Sequence, residues 1–388
     1  MKCNDGCNKE SSCSCGCTEE VPQQHCDDCI NEESIEFSGI CDPSEFEVNT
    51  KFWTDISTIG TVAVPKEKPS IEEIDKIGVT VEILKKKTIV TPKGPDGLIT
   101  NYEGKSSTGK KLVVEGLICL SISYVSLTKE QRVHSFHGQI PFSTFIVLPA
   151  SVCLDYDYLI SNCVQEVCVK RVCDRTIDFC VDLLLKATPI VTDCNKNLLD
   201  ESGLECTSTT GFKSCSKKDC FTDNPDIKGI CDSEKLIQLL QDKGKEWTEI
   251  SVPELLTIPK LKPDIYQILS VNSRVEIMCQ KVIATPDTTV TNYEGLTLTG
   301  FKLLVHALLR QRITYISTSE CGSVHSAHYD MPISAYIVLD GDTTNFTDKF
   351  KIKACIEDVF ACPLNERQIF KNTTLFIKAE PIEVCSII

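Results

Sequence analysis

The sequence has little of what marks an exported, membrane-bound or nucleic-acid-binding chain. Its first residues, MKCNDGCNKESSCSCGC, hold no apolar core of the kind a secretory signal needs, and no later stretch reaches the length of a membrane span. The expectation is a chain made and kept in a cytoplasm, without a membrane partner. Basic charge is short as well: 40 Lys and Arg against 55 Asp and Glu leave a formal net charge of -15. That argues against a nucleic-acid partner, because phosphate binding depends on clustered cations. Most of the acidic excess is local, with twelve acidic and two basic side chains in residues 1–50. Enzyme motifs are missing too. There is no G-x-S-x-G elbow, and no Ser, His and Asp set stands out by spacing, so no enzyme and no cofactor are expected.

Cysteine is abundant instead. The 24 cysteines are a load that belongs to oxidised proteins outside the cell, which conflicts with the missing signal. An internal repeat helps to resolve the conflict. TNYEG occurs at Thr100 to Gly104 and again at Thr291 to Gly295. Upstream, Trp53-Thr54-Asp55-Ile56-Ser57 matches Trp247-Thr248-Glu249-Ile250-Ser251, PKEKP (65–69) matches PKLKP (259–263), and Val81-Glu82-Ile83 matches Val275-Glu276-Ile277. After a three-residue deletion, VHSFH (133–137) matches VHSAH (324–328), FIVLP (145–149) matches YIVLD (336–340), and KATPI (186–190) matches KAEPI (378–382). Two long copies are tandem domains, since a solenoid needs shorter and more numerous units. Unit A spans about 42–192 and unit B about 232–388. A Cys-rich acidic arm, 1–41, precedes them and a polar Cys-rich linker, 193–231, separates them, so each unit is expected to fold by itself.

Alternation dominates within a unit. Leu112, Val114, Gly116, Ile118, Leu120, Ile122 and Tyr124 fall on one face of a strand, and Leu303, Val305, Ala307, Leu309, Gln311, Ile313 and Tyr315 repeat it. Further strands are predicted at Ile140–Leu148 and Ile177–Leu185, with short helices at Ser70–Ile77 and Ser233–Lys243. The fold class is mainly β: two tandem antiparallel β-sandwich-like or partly open barrel domains with short helices.

Three patterns tempt a chemical reading. GKSSTGKK offers Gly104, Gly109 and Lys110 to a phosphate-binding loop, but Lys111 stands where a Ser or Thr is required, and unit B has Phe301 in place of the lysine. A polar hairpin loop ahead of the long strand is the better reading. His134 and His137 recur as His325 and His328; residues three apart on a strand point to opposite faces, which favours a structural role over a shared metal. Asp340, Asp342 and Asp348 lack the spacing, the Gly and the Glu of a calcium hand and read as a solvated loop.

Comparing the copies sorts the cysteines. Cys163 aligns with Cys355, and Cys41 with Cys231 and Cys194 with Cys385 align approximately at unit edges, while the other eighteen have no counterpart. A domain that folds in one copy without a given thiol has little need of it in the other. The set Cys3, Cys7, Cys13, Cys15, Cys17, Cys26, Cys29, Cys41, Cys194, Cys206, Cys215, Cys220, Cys231 and Cys385 is therefore taken as cross-linking groups, oxidised after synthesis in a structure that outlasts the cell. No metal ligand set is assigned, because only Cys26 and Cys29 have knuckle spacing.

The segments VVEGLICLSISYV and VHSFHGQIPFSTFIVLP, echoed by LLVHALLRQRITYI and VHSAHYDMPISAYIVLD, resemble the SPOCS domain of spore-coat-associated proteins from spore-forming Firmicutes, Clostridium-like in type. Unit B departs from that pattern where His306 and Ala307 replace the Glu-Gly of unit A. The resemblance implies synthesis in the mother-cell cytoplasm and a place on the spore surface, in coat, exosporium or appendage. It implies a self-assembling structural protein, a homo-oligomer, lattice or fibre cross-linked by disulfides, with other coat proteins as further partners. The alternatives are an adaptor that recruits coat proteins and a metal- or redox-binding Cys-rich protein.

Overall fold

The computed structural model describes residues 35–42, 46–48, 50–190, 225–287, 291–292, 295–319, 322–341 and 350–382. In unit A the strands are β1 (Glu36–Ser38), β2 (Trp53–Ala63), β3 (Ile71–Val90), β4 (Ile99–Thr100), β5 (Ser106–Ser107), β6 (Lys110–Ser126), β7 (Val133–Leu148), β8 (Tyr158–Cys173) and β9 (Thr176–Pro189). Unit B repeats them as β10 (Asp226–Lys228), β11 (Trp247–Thr257), β12 (Ile265–Asp287), β13 (Thr299–Ser317), β14 (Val324–Val338), β15 (Phe350–Pro363) and β16 (Gln368–Pro381), with one helix, α1 (Ser233–Gln238).

Each unit is an open two-sheet sandwich. A four-stranded sheet ordered β1-β3-β6-β7 faces a three-stranded sheet ordered β2-β9-β8, and β10-β12-β13-β14 faces β11-β16-β15 in the same way. All pairings are antiparallel except the short β1 and β10, which run parallel to β3 and β12. The alternation expected for β6 holds: Leu112, Val114, Ile118, Leu120, Ile122 and Tyr124 enter one core with Ile177, Phe179, Val181, Leu183 and Leu185 of β9. At Gly116 the Phe142 ring approaches so closely that a side chain would collide with it.

The repeated PKxKP turn has a structural cause. Arg175 donates to the carbonyls of Val64, Pro65 and Lys68, and Tyr124 donates to that of Pro69. Arg367 and Tyr315 hold the turn of unit B through Ile258, Pro259, Lys262 and Pro263 in the same manner. These bonds satisfy carbonyls that leave the strand ladder at a corner.

Two expectations need correction. Ser70–Ile77 is strand, not helix: β3 runs unbroken through Gly78. Its buried Ile71, Ile74 and Ile77 imitate helical spacing because register shifts between Ile71 and Glu73 and between Ile74 and Lys76 add a residue each time, turning a period of two into three. Unit B has the same shifts at Ile265 and Ile268. The second helix is real but shorter, ending at Gln238, with Asp232 capping the amides of Glu234 and Lys235. In addition, β1 and β10 place residues 36–38 and 226–228 inside the units, ahead of residues 42 and 232.

Candidate functional site: the seam between the units

A cluster of buried charged residues lies between the units. Every residue of β6 from Lys111 to Ile118 is buried, and so is every residue of β16 from Ile369 to Ala379. A strand buried on both faces is covered on both. The even positions of β6 fill the core of unit A, so Lys111, Val113, Glu115 and Leu117 face the opposite way, against unit B. On β16 the odd positions fill the core of unit B and Phe370, Asn372 and Phe376 face unit A. The large sheet of unit A thus packs face to face on the small sheet of unit B.

At the centre, the Lys111 ammonium is fully buried, paired with Glu357 and lying 3.3 Å from Glu249. The Thr91 hydroxyl lies 2.6 Å from Glu249 Oε1 and 2.7 Å from Glu357 Oε1. A hydroxyl has one proton to donate, so the second short contact calls for a protonated carboxyl donating back to it. That agrees with the charges. One cation faces two carboxylates, and burial, with Glu249 beside it, pushes Glu357 up to about 7 against the pull of Lys111. Burial opposes the charge on Lys111, yet the two carboxylates outweigh it and hold its pKa above the usual value. The Lys111 ammonium also lies 4.4 Å from the centre of the Phe145 ring. Nearby, Glu115 is pushed up to about 8, first by burial and then by the Asp358 carboxylate, against Lys85 and Lys87.

Around this centre, Lys87 pairs with Asp358 at 2.6 Å and the Ser251 hydroxyl meets that of Ser143 at 3.2 Å. Two apolar patches flank the charges: Ile99 packs with Leu240, Trp247 and Phe376, and Leu84 with Phe360 and Phe370. The first TNYEG closes one end. Asn101 donates to the Trp247 carbonyl at 2.8 Å, Tyr102 to Asp340 at 3.1 Å, and Tyr336 to Glu103 at 2.7 Å. Gly104, at φ +106, lies so close to the Gly295 carbonyl that a side chain would collide with it, so the two copies of the pentapeptide touch at their glycines.

Sequence reasoning missed this seam. In the sequence Lys111 stands out only as the misfit of a phosphate-binding loop. The usable signal was a Lys and a Glu inside KLVVEGLICL, an apolar run too continuous for a strand with one wet face.

The cysteines matched between copies form the same bond in each unit. Cys41 is joined to Cys163, with Cα atoms 5.3 Å apart, and Cys231 to Cys355, at 5.6 Å. Cys41 and Cys231 are thereby committed inside their own units and leave the cross-linking set. The remaining members, Cys3, Cys7, Cys13, Cys15, Cys17, Cys26, Cys29, Cys194, Cys206, Cys215, Cys220 and Cys385, lie outside the described residues.

His134 packs on the Tyr124 ring and His325 on the Tyr315 ring, at 5.8 and 5.9 Å, while His137 and His328 are exposed on the other face. Among the described residues no three His, Cys, Asp or Glu side chains gather as a metal site, and no helix is long and apolar enough to cross a membrane. Of the acidic loop, Asp340 belongs to the seam, and Asp342 and Asp348 lie outside the described residues.

Fold and seam define a class: a tandem pair of open β-sandwiches, each carrying the matched disulfide and packed face to face. The sequence pattern of the SipL, SPOCS domain family matches twice, at residues 70–163 and 264–363, together half of the chain. The chain belongs to the SPOCS domain family, which makes it a sporulation-related protein. A comparison with curated proteins returns no match. Among solved structures, a crystal structure described as lipopolysaccharide binding protein aligns over 85% of this chain and 92% of its own, at 8% identity and a TM-score of 0.09, too low to carry any argument.

Proposed function

We propose that this protein is a self-assembling structural component of the spore surface, in coat, exosporium or appendage, with subunits cross-linked by disulfides through cysteines of the arm and linker. The observation that carries the reading is the seam. It is a demonstration within one chain that a SPOCS sandwich packs on another SPOCS sandwich, burying ion pairs and apolar side chains between them. A fold that binds its own kind is suited to building an array. Cysteines beyond the two matched disulfides then supply covalent locks once the mother cell no longer keeps them reduced.

The test is direct. The full chain, purified under reducing conditions and then oxidised, is imaged by electron microscopy and run on detergent gels. Ordered assemblies that enter the gel only after reductant is added support the reading. A clean 43.1 kDa band from mature material boiled without reductant ends it.

A further inference from the structure

Among the described residues the seam covers one face of each unit and leaves most of its counterpart exposed, with Tyr336 of unit B, which meets Glu103, at the margin. On unit A the open face is the outer side of β2-β9-β8, where Trp53 is 49% exposed although its counterpart Trp247 is buried. On unit B it is the outer side of β12-β13-β14, where Met278 is 58% exposed although its counterpart Leu84 packs on Phe360 and Phe370.

The open faces keep the contact residues of the closed ones. Lys111 and Glu249 of the seam recur as Lys302 and Asp55, and Lys87 and Asp358 recur as Lys281 and Glu166. The hydroxyl pair Ser143 and Ser251 recurs as Ser334 and Ser57, and Asn101 with Trp247 recurs as Asn292 with Trp53. Lys302 is even held ready in the same pose, 4.0 Å from the centre of the Tyr336 ring, as Lys111 stands over Phe145. A polar cleft lined by Asp55, Ser57, Gln165, Glu166 and Asp182 opens where the counterpart positions of unit B receive Lys111 and Lys87. Among the described residues nothing lies within 4 Å of where a Cβ of Gly295 would stand, whereas at Gly104 that position meets the loop of unit B. Charges complement in balance: the unit A face carries Asp55, Glu166, Asp178 and Asp182 against Lys186, and the unit B face carries Arg274, Lys281, Lys302, Arg310 and Arg312 against Glu276 and Asp330. His306 stands where the seam has Glu115, which removes a carboxylate from the side that would meet Glu166.

We propose that the acidic outer sheet of unit A receives the basic outer sheet of unit B from a second copy of this chain, repeating between chains the seam that joins the units within one. This rests on the self-assembly reading and gives it a mode. The contact is heterologous, head to tail, so each added copy presents a fresh face and growth continues as a filament unless the rotation closes a ring.

Charge reversal tests it on the full chain, kept in reductant so that disulfides play no part. One variant carries Asp55→Lys and Glu166→Lys, the other Lys281→Glu and Lys302→Glu. Like charges across a contact are strongly disfavoured, so each variant alone should need a concentration about a hundredfold higher to assemble. An equimolar mixture should assemble again, because each reversed face then meets the other, and that recovery shows that both variants are folded. Met278→Asp, at an exposed position, should weaken assembly without moving the unfolding midpoint. If the parent assembles and either reversed variant assembles equally well, or the mixture fails to recover, the head-to-tail mode is wrong while self-assembly stands. A parent chain that sediments as a single copy at every concentration, reduced or oxidised, overturns both.

Discussion

Trp247 and Trp53 hold the same position of the same fold, and one is 1% exposed while the other is 49% exposed. The difference is not in the unit but in what lies on it: unit A covers the first, and among the described residues nothing comparable covers the second. Duplication therefore made two copies of each binding face and used one pair. The used pair is also reinforced. Between the first disulfide cysteine and the tryptophan, unit B has four more residues than unit A, and this longer stretch donates from Gln241 to the Lys93 carbonyl at 3.0 Å and pairs Lys243 with Asp96 at 3.2 Å. Lys378 reaches back to the Leu239 carbonyl at 2.8 Å and to Asp242. In unit A the counterpart Lys186 likewise reaches back to the Glu47 carbonyl at 2.6 Å, but the stretch is four residues shorter, so the contact within a chain is the tighter of the two.

The largest expected effect comes from the paired lysines. Lys111→Ala leaves Glu249 and Glu357 buried without their cation and should cost about 3–5 kcal/mol, the usual loss when one partner of a buried ion pair is removed. Lys302→Ala, at the counterpart on the open face, should stay within about 0.5 kcal/mol. Denaturant unfolding of dilute, reduced chain gives both numbers. Equal losses would mean that Lys111 contributes only to its own sheet and that the seam is not closed in solution.

The glycines of TNYEG give a smaller contrast. Both have positive φ, +106 at Gly104 and +85 at Gly295, so alanine strains the backbone at either by about 1 kcal/mol or more. At Gly104 the added methyl also meets the Gly295 carbonyl, whereas at Gly295 it meets no described residue within 4 Å. Gly104→Ala should therefore be clearly the more destabilising, read as a lower thermal midpoint at the same pH. A reversed order would place the loops differently from the arrangement seen here.

How much of this was legible follows from which contacts are local. The sandwich core was readable, because alternation along β6 and β9 reports one face of one strand and needs no knowledge of what lies opposite. The start of β3 was not, because its bulges change the period without changing composition. The disulfides were half readable: the repeat picked out Cys41, Cys163, Cys231 and Cys355 as matched, yet partners 122 and 124 residues apart are set by the fold and not by spacing. The seam was the least readable. Lys111 and Glu357 are 246 residues apart, and a polar residue in an apolar run says that something unusual surrounds it without saying what. As an isolated motif GKSSTGKK reads as a polar hairpin loop; in the fold its second lysine, Lys111, is buried against unit B.

The smallest effect, and the one that separates the seam from the open face most cleanly, is the dependence on pH. Glu115 is raised from 4.5 to about 8 and Glu357 to about 7, both first by burial. In the unfolded chain such groups lose their protons near 4.5, while in the folded chain they keep them until pH 7 to 8, so across that window the folded state binds more protons. Stability then falls as pH rises from about 5 to 8, since the slope follows the difference in bound protons; above that, Lys371, pushed down to about 8 by burial, turns the slope upward. Asp242 and Glu380 are held below the usual carboxylate range by Lys378 and Lys353, so their contribution is lost only as pH drops through the acid range. Unfolding midpoints measured on dilute, reduced chain should therefore be higher at pH 5 than at pH 8. Glu115→Gln keeps the shape and removes the titrating proton, so it should raise the midpoint at pH 8 more than at pH 5 and flatten the slope. A slope unchanged in that variant would show that Glu115 is solvated, and that the seam opens at its centre.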